Sequence, residues 1–230
     1  MIKNILFDFD GTLMNTNQVI IASWQHTYKT YLGHEMPVER ITSCFGEPLL
    51  VTMAREFPDV DPQEAAEVYR DFQRKNADGL VTIFPGIREL LAALQEARYK
   101  LGIVTSRTRE SALHYLHMFA IASYFDDLVT CEDTSVHKPN PEPLLLGLKK
   151  LSARADESLM VGDSPFDIKC ANRAGVKSVL VDWRITGDEN ARIGRAIADF
   201  QIAQPMELLD LLKKEKDAAA TSGEEAESPC

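Results

Sequence analysis

The chain has 230 residues, 45% of them hydrophobic and 26% charged, a balance typical of a globular protein with one large domain or a core plus a small insert. The formal net charge of −10 argues against binding to the phosphate backbone of nucleic acids, which usually requires a basic face. A small anionic substrate stays possible, because a metal ion and a few local cations can reverse the sign of the charge inside a cleft.

The amino terminus and the cysteines favour a cytoplasmic protein. The apolar run around Ile5 is too short for a signal peptide, and an acid follows it directly. No stretch approaches the ~20 apolar residues of a membrane span. The four cysteines contain no CxxC pair, so we expect reduced thiols at Cys44, Cys131, Cys170 and Cys230. We therefore predict no nucleic-acid and no membrane partner, and we leave the oligomeric state open.

Five short apolar runs are predicted as buried strands, and helical patterns lie between them. The runs are rich in β-branched and other apolar residues, and most end in a polar or glycine cluster. The predicted strands are 4–9, 100–105, 127–131, 158–162 and 177–182. The predicted helices are 87–97, 109–119, 141–151, 166–174 and 205–214. Strands that alternate with helices favour an α/β fold with a parallel sheet covered on both faces.

Residues 15–81 break this alternation, because apolar residues recur there at helical spacing and no strand is predicted. A helical insert of this length predicts a cap over the sheet, with hinges at Gly11 and at Phe84-Pro85-Gly86. The end of the chain has little to bury and is predicted to be disordered. The predicted division is a core of 1–14 and 82–212, a cap of 15–81 and a disordered tail of 213–230.

Two carboxylates end the first predicted strand, in the segment Asp8-Phe9-Asp10-Gly11-Thr12-Leu13. A buried strand that ends in two acids is costly unless a positive group balances their charge. Mg²⁺ can supply that charge, and it prefers oxygen ligands. Gly11 allows the backbone to turn tightly and to approach a ligand closely. The segment alone is also compatible with a solvated acidic turn.

Two further segments place polar groups at the carboxyl edge of the predicted sheet, where ligands bind in open parallel sheets. Thr105 and Ser106 follow a strand and can donate to a phosphoryl oxygen, although such residues cap a helix about as often. Lys138 lies on a loop that Pro139 and Pro141 make stiff. A lysine held there can neutralise a carboxylate and a phosphoryl group, although a lone lysine is usually solvated.

A fourth segment carries two more acids. Apolar residues lead into Gly162-Asp163 at a strand end, and Asp167 follows where a helix should begin. Asp167 is therefore either a helix cap or a group that helps to hold a metal ion through water. Asp163 has no helix to cap, and we interpret it as a candidate metal ligand.

Other reactive side chains are interpreted without a catalytic role. The surface or boundary candidates are Arg107, Arg109, His114 and His117. Cys131 and Cys170 are predicted to be core residues. The two histidines have a spacing that can hold a metal ion, but no third ligand is in view.

Taken together and in this order, the four segments resemble the motifs of the haloacid dehalogenase-like (HAD) hydrolase superfamily, over residues 1 to about 212. The resemblance implies a Rossmann-like, doubly wound parallel sheet with an inserted helical cap of the C1 type. It implies that Asp8 is the nucleophile and Asp10 the general acid and base. It also implies phosphate binding by Thr105, Ser106 and Lys138, and a Mg²⁺ site that involves Asp8, Asp10, Asp163 and Asp167.

The implied reaction is Mg²⁺-dependent hydrolysis of a small phosphorylated metabolite or of inorganic pyrophosphate, through an aspartyl-phosphate. Within the superfamily the chain is similar to the phosphoglycolate-phosphatase-like branch, and particularly to bacterial HAD-type pyrophosphatases. That similarity rests on Asn15-Thr16-Asn17, Phe45-Gly46-Glu47-Pro48-Leu49 and the segment 104–110. Asn15 departs from the pattern, because relatives often carry a third acid there. Two alternatives stay open, a mutase of the β-phosphoglucomutase type and a non-catalytic phosphate-ligand binding protein.

Overall fold

A computed structural model describes residues 1–45, 47–183, 193, 195 and 197–224. Its centre is a six-stranded sheet in which every neighbouring pair is parallel. In sheet order the strands are β5 (Asp127–Val129), β4 (Lys100–Val104), β1 (Asn4–Phe7), β6 (Ser158–Gly162), β7 (Lys177–Val181) and β8 (Phe200–Ile202). A separate antiparallel pair joins β2 (Met14–Asn15) to β3 (Thr82–Ile83).

This sheet confirms the predicted α/β fold and each of the five predicted strands, four of which end one or two residues earlier than expected. Three strands were not predicted. β8 has three residues with a single buried side chain, and β2 and β3 have two residues each. Such short segments carry no readable alternation of polar and apolar residues.

Helices separate the strands along the chain. Their bounds are α1 (Asn17–Leu32), α2 (Val38–Thr42), α3 (Leu49–Glu56), α4 (Pro62–Asn76), α5 (Ile87–Glu96), α6 (Arg109–Met118), α7 (Glu142–Leu151), α8 (Pro165–Ala174) and α9 (Glu207–Glu224). None of the described helices combines the length and the apolar character that a membrane span needs.

Residues 213–224, which belong to the tail predicted to be disordered, continue α9 in the structure. The helix is anchored by Leu208 and Leu212, which are buried against the sheet. Residues beyond this anchor include several alanines, lysines and glutamates, which extend a helix at little cost. Residues 225–230, including Cys230, lie outside the described residues.

Helices cover both faces of the sheet, as the strand–helix alternation predicted. On one face Leu6 and Val104 pack with α7 and α8, through residues such as Leu148. On the other face Ile5 and Phe7 pack with residues of α5, α6 and α9. Because neighbouring residues of β1 point to opposite faces, both layers hold this central strand in place and fix the position of the acids that follow it.

The insert is helical, since α1 to α4 lie between β2 and β3. These helices share a separate apolar cluster that includes Trp24, Tyr28, Met53, Phe57 and Tyr69. A cluster of its own supports our proposal that 15–81 is a cap and that 1–14 and 82–212 form the core. Gly46 and the residues 184–192, 194 and 196 of this division lie outside the described residues.

Candidate active site

Three predicted site residues follow three adjacent strands. Asp8 follows β1, Thr105 follows β4 and Asp163 follows β6, and β1 lies between the other two strands. Since the strands are parallel and Phe7 pairs with both Ile103 and Val161, their carboxyl ends meet at one edge of the sheet.

A cavity of about 420 Å³ opens at this edge. Its lining includes every site residue that the sequence predicted: Asp8, Asp10, Thr105, Ser106, Lys138, Asp163 and Asp167. The fold therefore brings together side chains that are up to 159 positions apart in the sequence, from Asp8 to Asp167.

Lys138 links two of the acids. Its Nζ donates to Asp8 Oδ1 at 2.5 Å, to Asp167 Oδ1 at 2.6 Å and to the Val104 carbonyl oxygen at 3.1 Å. The lysine side chain is only 5% exposed. All three donors of the ammonium are thus directed to oxygen atoms, which fixes the position of its charge beside Asp8.

Asp167 is held from a second direction. It forms a capping box with Ser164 at the start of α8, in which Oδ2 accepts from the Ser164 hydroxyl at 2.6 Å and from the Ser164 amide at 3.1 Å. A Cβ added at Gly162 would lie 2.4 Å from Cβ of Asp167, so this close approach requires glycine. Asp167 therefore caps a helix and orients Lys138 at the same time.

The acids form a group that fits a hard cation. Asp8, Asp163 and Asp167 are buried, and each offers a carboxylate oxygen within 4.8 Å of the others. Burial raises the pKa of Asp8 to about 7, and the negative charges of Asp167 and Asp10 also raise it. The positive charge of Lys138 acts to lower the same pKa but does not outweigh them. Three buried carboxylates outnumber the ammonium, and an oxygen-binding divalent cation would offset this excess.

Gly11 allows the loop after β1 to reach this group. Its φ is +77°, and a Cβ there would lie 2.3 Å from Oδ2 of Asp163. Its amide donates to the Met14 carbonyl oxygen at 2.9 Å, which closes a tight turn. Only glycine satisfies both the left-handed backbone and the close contact with Asp163.

Arg107 was predicted as a surface residue, and this is wrong. Its side chain is only 7% exposed, and it binds Asp10 through Nη2 to Oδ1 at 2.8 Å and through Nε to Oδ2 at 3.0 Å. The guanidinium also lies 5.1 Å from the ring centre of Tyr115 and 5.7 Å from that of Phe9. Burial opposes ionisation of Asp10, but Arg107 outweighs this effect and holds the pKa of Asp10 below its usual range.

Thr105 and Ser106 both line the cavity but differ in exposure. Thr105 is buried, and its Oγ1 accepts from the Arg107 amide at 3.1 Å. Since that oxygen accepts from the backbone, the hydroxyl proton can donate to an acceptor in the cavity. Ser106 is exposed and lines the same cavity.

Another part of the lining comes from the helical insert, and the sequence did not identify which of its residues line the cavity. It includes Trp24, Glu47, Tyr69 and Arg70. Glu47 is held in place by Thr52 Oγ1 and Arg55 Nη1, both at 3.0 Å. The wall therefore combines aromatic and charged side chains, which is the composition expected of a surface that recognises a small polar ligand.

The positions predicted for the two histidines, for Arg109 and for the cysteines are confirmed in part. His114 and His117 are exposed, and Arg109 is 41% exposed and paired with Asp133, so their predicted surface positions are confirmed. Cys170 is buried as predicted, whereas Cys131 is only half-buried and lines the cavity. The three described cysteines are free thiols.

A family model described as "Haloacid dehalogenase-like hydrolase" matches residues 5–181 of the chain. The chain belongs to this family. The match includes Asp8, Asp10, Lys138, Asp163 and Asp167, so the buried group lies inside the matched segment. The prediction that the chain is a hydrolase of the HAD family is thus confirmed.

Individual HAD relatives agree with this result. The chain is 40% identical to "Putative pyrophosphatase PpaX" of Caldanaerobacter subterraneus, over 92% of this chain and 95% of that protein. It is 36% identical to "Pyrophosphatase PpaX" of Halalkalibacterium halodurans, over 92% of this chain and 97% of the relative. A solved "Putative haloacid dehalogenase-like hydrolase" from Bacteroides fragilis superposes with a TM-score of 0.83, at 25% identity, over 90% of this chain and 100% of its own length.

Proposed function

We propose that this HAD hydrolase is a Mg²⁺-dependent phosphohydrolase that acts through an aspartyl-phosphate. The proposed substrate is inorganic pyrophosphate or a small phosphorylated metabolite of the phosphoglycolate type. The observation that carries the proposal is the arrangement of Asp8 and Asp10, two residues apart at one strand end, with Lys138 bonded to the first acid and Arg107 to the second.

In the first proposed step a carboxylate oxygen of Asp8 attacks phosphorus in line with the leaving oxygen. A bond forms between phosphorus and Asp8, and the bond from phosphorus to the leaving oxygen breaks. Asp10 gives a proton to that oxygen as it leaves. Asp10 lies two residues beyond Asp8 and lines the same cavity. Arg107 favours the ionised form of Asp10 in the structure, so Asp10 carries this proton only after its contact with Arg107 is released.

In the second proposed step water attacks the phosphorus of the aspartyl-phosphate, and Asp10 takes a proton from that water. The bond between phosphorus and Asp8 breaks, which releases phosphate and restores the carboxylate. Lys138 offsets negative charge at Asp8 in both steps, because its ammonium is buried and fixed by three oxygen atoms. Thr105 and Ser106 offer hydroxyl donors to the phosphoryl oxygens.

Asp8 and Asp163, with Asp167 beside them and the Asp10 backbone carbonyl, are the groups proposed to hold Mg²⁺. When bound, Mg²⁺ would supply Lewis-acid stabilisation of the charge on the phosphoryl oxygens. The fit of the cluster supports this assignment, since three buried carboxylates within 4.8 Å of one another are costly when only the ammonium of Lys138 balances them.

The proposed preference for pyrophosphate draws on the relatives, two of which are named as pyrophosphatases at 36% and 40% identity. The wall provided by the insert is the proposed source of selectivity, because Glu47, Tyr69 and Arg70 line the same cavity as the acids. A small, highly charged substrate suits a cavity of about 420 Å³.

The test is a phosphate-release assay with purified protein and Mg²⁺ on pyrophosphate, phosphoglycolate, sugar phosphates and nucleotides. The proposal expects Mg²⁺-dependent release, fastest from pyrophosphate or phosphoglycolate. Isomerisation of a hexose phosphate without phosphate release would indicate a mutase instead. Tight binding of these compounds with no turnover would overturn the enzymatic proposal in favour of a phosphate-ligand binding protein.

A further inference from the structure

The guanidinium of Arg107 has an unusual position for a residue without an assigned function. It is buried in the cavity wall and binds both oxygens of Asp10. Its Nη1 donates to Ser111 Oγ at 2.6 Å, and its plane lies near the rings of Tyr115 and Phe9. Four different side chains thus fix the Arg107 guanidinium, and one of them is Asp10, the proposed proton carrier.

The hydrogen-bonding capacity of Arg107 exceeds what these contacts require. A guanidinium carries two N–H groups on each terminal nitrogen and one on Nε. One N–H of Nη2 serves Asp10, one N–H of Nη1 serves Ser111, and the guanidinium also hydrogen-bonds Tyr115, so one N–H of a terminal nitrogen is left for an acceptor in the cavity. The fork geometry suits a carboxylate or a phosphate equally, and a carboxylate occupies it now.

The place of Arg107 relative to the reaction follows from its partner. Asp10 is the group proposed to protonate the leaving oxygen. A cation that binds Asp10 therefore lies near the leaving group of the substrate. Lys138 lies on the other side, bonded to Asp8 and Asp167. The two buried cations are therefore divided between the attacking and the leaving oxygens.

A second cation lines the same cavity from the insert. Arg70 on α4 lines the cavity, is 33% exposed, and has an ion-pair contact of 3.9 Å with Glu67. Its charge also acts on Cys131, which lines the cavity from the core. Burial raises the pKa of the Cys131 thiol, whereas the positive charge of Arg70 acts to lower it. Arg70 and Arg107 thus present positive charge to the same cavity from α4 and from the loop before α6.

We infer that Arg107 binds an anionic group on the leaving part of the substrate, taking it in exchange for Asp10, and that Arg70 assists from the insert. The inference rests on the proposed function and narrows its substrate class. The preferred substrates are those whose leaving group carries its own phosphate or carboxylate close to the scissile oxygen. In this exchange the anionic group of the substrate takes the place of the Asp10 carboxylate at Arg107. The released carboxylate of Asp10 then turns towards the leaving oxygen.

The experiment compares kcat/KM for three substrates in wild type, Arg107→Lys and Arg109→Lys. Pyrophosphate has a phosphate on its leaving group, phosphoglycolate has a carboxylate, and p-nitrophenyl phosphate has no ionised group there. Lysine at 107 keeps the charge but loses the fork. We expect Arg107→Lys to lower kcat/KM for at least one anionic substrate by roughly 10- to 100-fold more than for p-nitrophenyl phosphate.

Arg109→Lys is the matched control, because Arg109 is two residues away, is 41% exposed and pairs with Asp133. It should leave the ratio between substrates unchanged. Selective loss with pyrophosphate identifies a phosphate as the ligand of Arg107, and selective loss with phosphoglycolate identifies a carboxylate. An equal loss with all three substrates overturns the inference, because Arg107 would then act only through Asp10.

Failure of the proposed function gives a different result, since the wild type would then release phosphate from none of the three substrates. Circular dichroism and thermal unfolding check that Arg107→Lys folds. If it does not, Arg70→Gln carries the test, because Arg70 is partly exposed and its replacement leaves the core intact. Arg70→Gln should lower kcat/KM for an anionic substrate more than for p-nitrophenyl phosphate, and equal losses would overturn the inference.

Discussion

The ammonium of Lys138 lies 2.5 Å from Oδ1 of Asp8, although the two residues are separated by 130 positions in the sequence. The pair is buried at the carboxyl edge of the sheet, where water offsets little of either charge. Asp167 holds the same ammonium at 2.6 Å, so the position of Lys138 does not depend on Asp8 alone. The lysine therefore serves both the stability of the acid cluster and the proposed reaction.

Replacement of Lys138 should lower both the stability of the protein and its rate of phosphate release. Lys138→Met keeps most of the length of the side chain but leaves Asp8 and Asp167 buried without their cation. We expect a loss of about 3–5 kcal/mol in the free energy of unfolding, measured in urea in Mg²⁺-free buffer, and a loss of phosphate release of at least ~100-fold. Lys150→Met is the control, because Lys150 forms a half-exposed pair with Asp127 that should contribute about 0–1 kcal/mol. Similar losses for the two variants would contradict this account of Lys138.

The contact between Gly11 and Asp163 predicts a second sensitive position. Gly11→Ala introduces a Cβ 2.3 Å from Asp163 Oδ2 at a φ of +77°, so it adds a clash to backbone strain. Gly33→Ala has a similar φ of +75° with nothing within 4 Å of the new Cβ, so it adds strain alone. We expect Gly33→Ala to cost about 1–2 kcal/mol in urea unfolding and to leave kcat unchanged. Gly11→Ala should cost more and lose most of its phosphate release; equal effects would argue against the close approach.

The acid cluster predicts that Mg²⁺ stabilises the folded protein independently of turnover. After treatment with EDTA, added Mg²⁺ should raise the melting temperature of the wild type, because a ligand that binds only the folded state stabilises it. Asp163→Asn should remove most of this shift, since it removes one carboxylate of the cluster. Asp156→Asn, at an exposed acid, should keep it. A shift of the same size in Asp163→Asn would exclude Asp163 from the site.

Glu56 in the insert predicts a dependence of stability on pH. Burial alone would raise the pKa of Glu56, but hydrogen bonds from Arg40, Tyr28 and Arg55 outweigh it and hold the pKa below its ordinary value of 4.5. Between these two values the unfolded chain binds more protons than the folded chain. The stabilisation is therefore complete above about pH 4.5 and is lost as the pH falls through the folded pKa.

Glu56→Gln tests this dependence. The variant should be less stable than the wild type by about 1–3 kcal/mol near neutral pH, because it replaces a charged acceptor of four hydrogen bonds. The difference should shrink as the pH is lowered below 4.5, because the wild-type carboxyl then becomes protonated as the pH passes through its lowered folded pKa. Urea unfolding at several pH values measures it, and a difference that stays constant would reject the assigned role of Glu56.

The parts of the site that the sequence predicted share a simple physical basis. Asp8, Thr105 and Asp163 each follow an apolar run, and the carboxyl ends of parallel strands meet at one edge, so their proximity follows from local patterns. Lys138 could be assigned because prolines restrict its loop and because the four segments together resemble a known family. The helical character of the insert followed from the spacing of its apolar residues.

The parts that were missed depend on contacts between distant segments. Arg107 is charged and follows a strand, so its sequence context predicts exposure; its burial results from Asp10, Phe9 and Tyr115, which surround it only in the folded chain. The residues with which the insert lines the cavity were missed because its helices have several faces and the sequence does not say which one meets the core. The end of α9 was missed because it extends from an anchor at Leu212 rather than from a pattern of its own.

The central claim is that Asp8 is the nucleophile of a phosphohydrolase, and the initial rate of phosphate release by Asp8→Asn with saturating Mg²⁺ and pyrophosphate or phosphoglycolate tests it most directly. The substitution keeps the size of the side chain and can still bond Lys138, so the fold should persist, as circular dichroism would verify. We predict that release falls to the level of a blank without enzyme. Appreciable Mg²⁺-dependent release by the folded variant would contradict the assignment of Asp8.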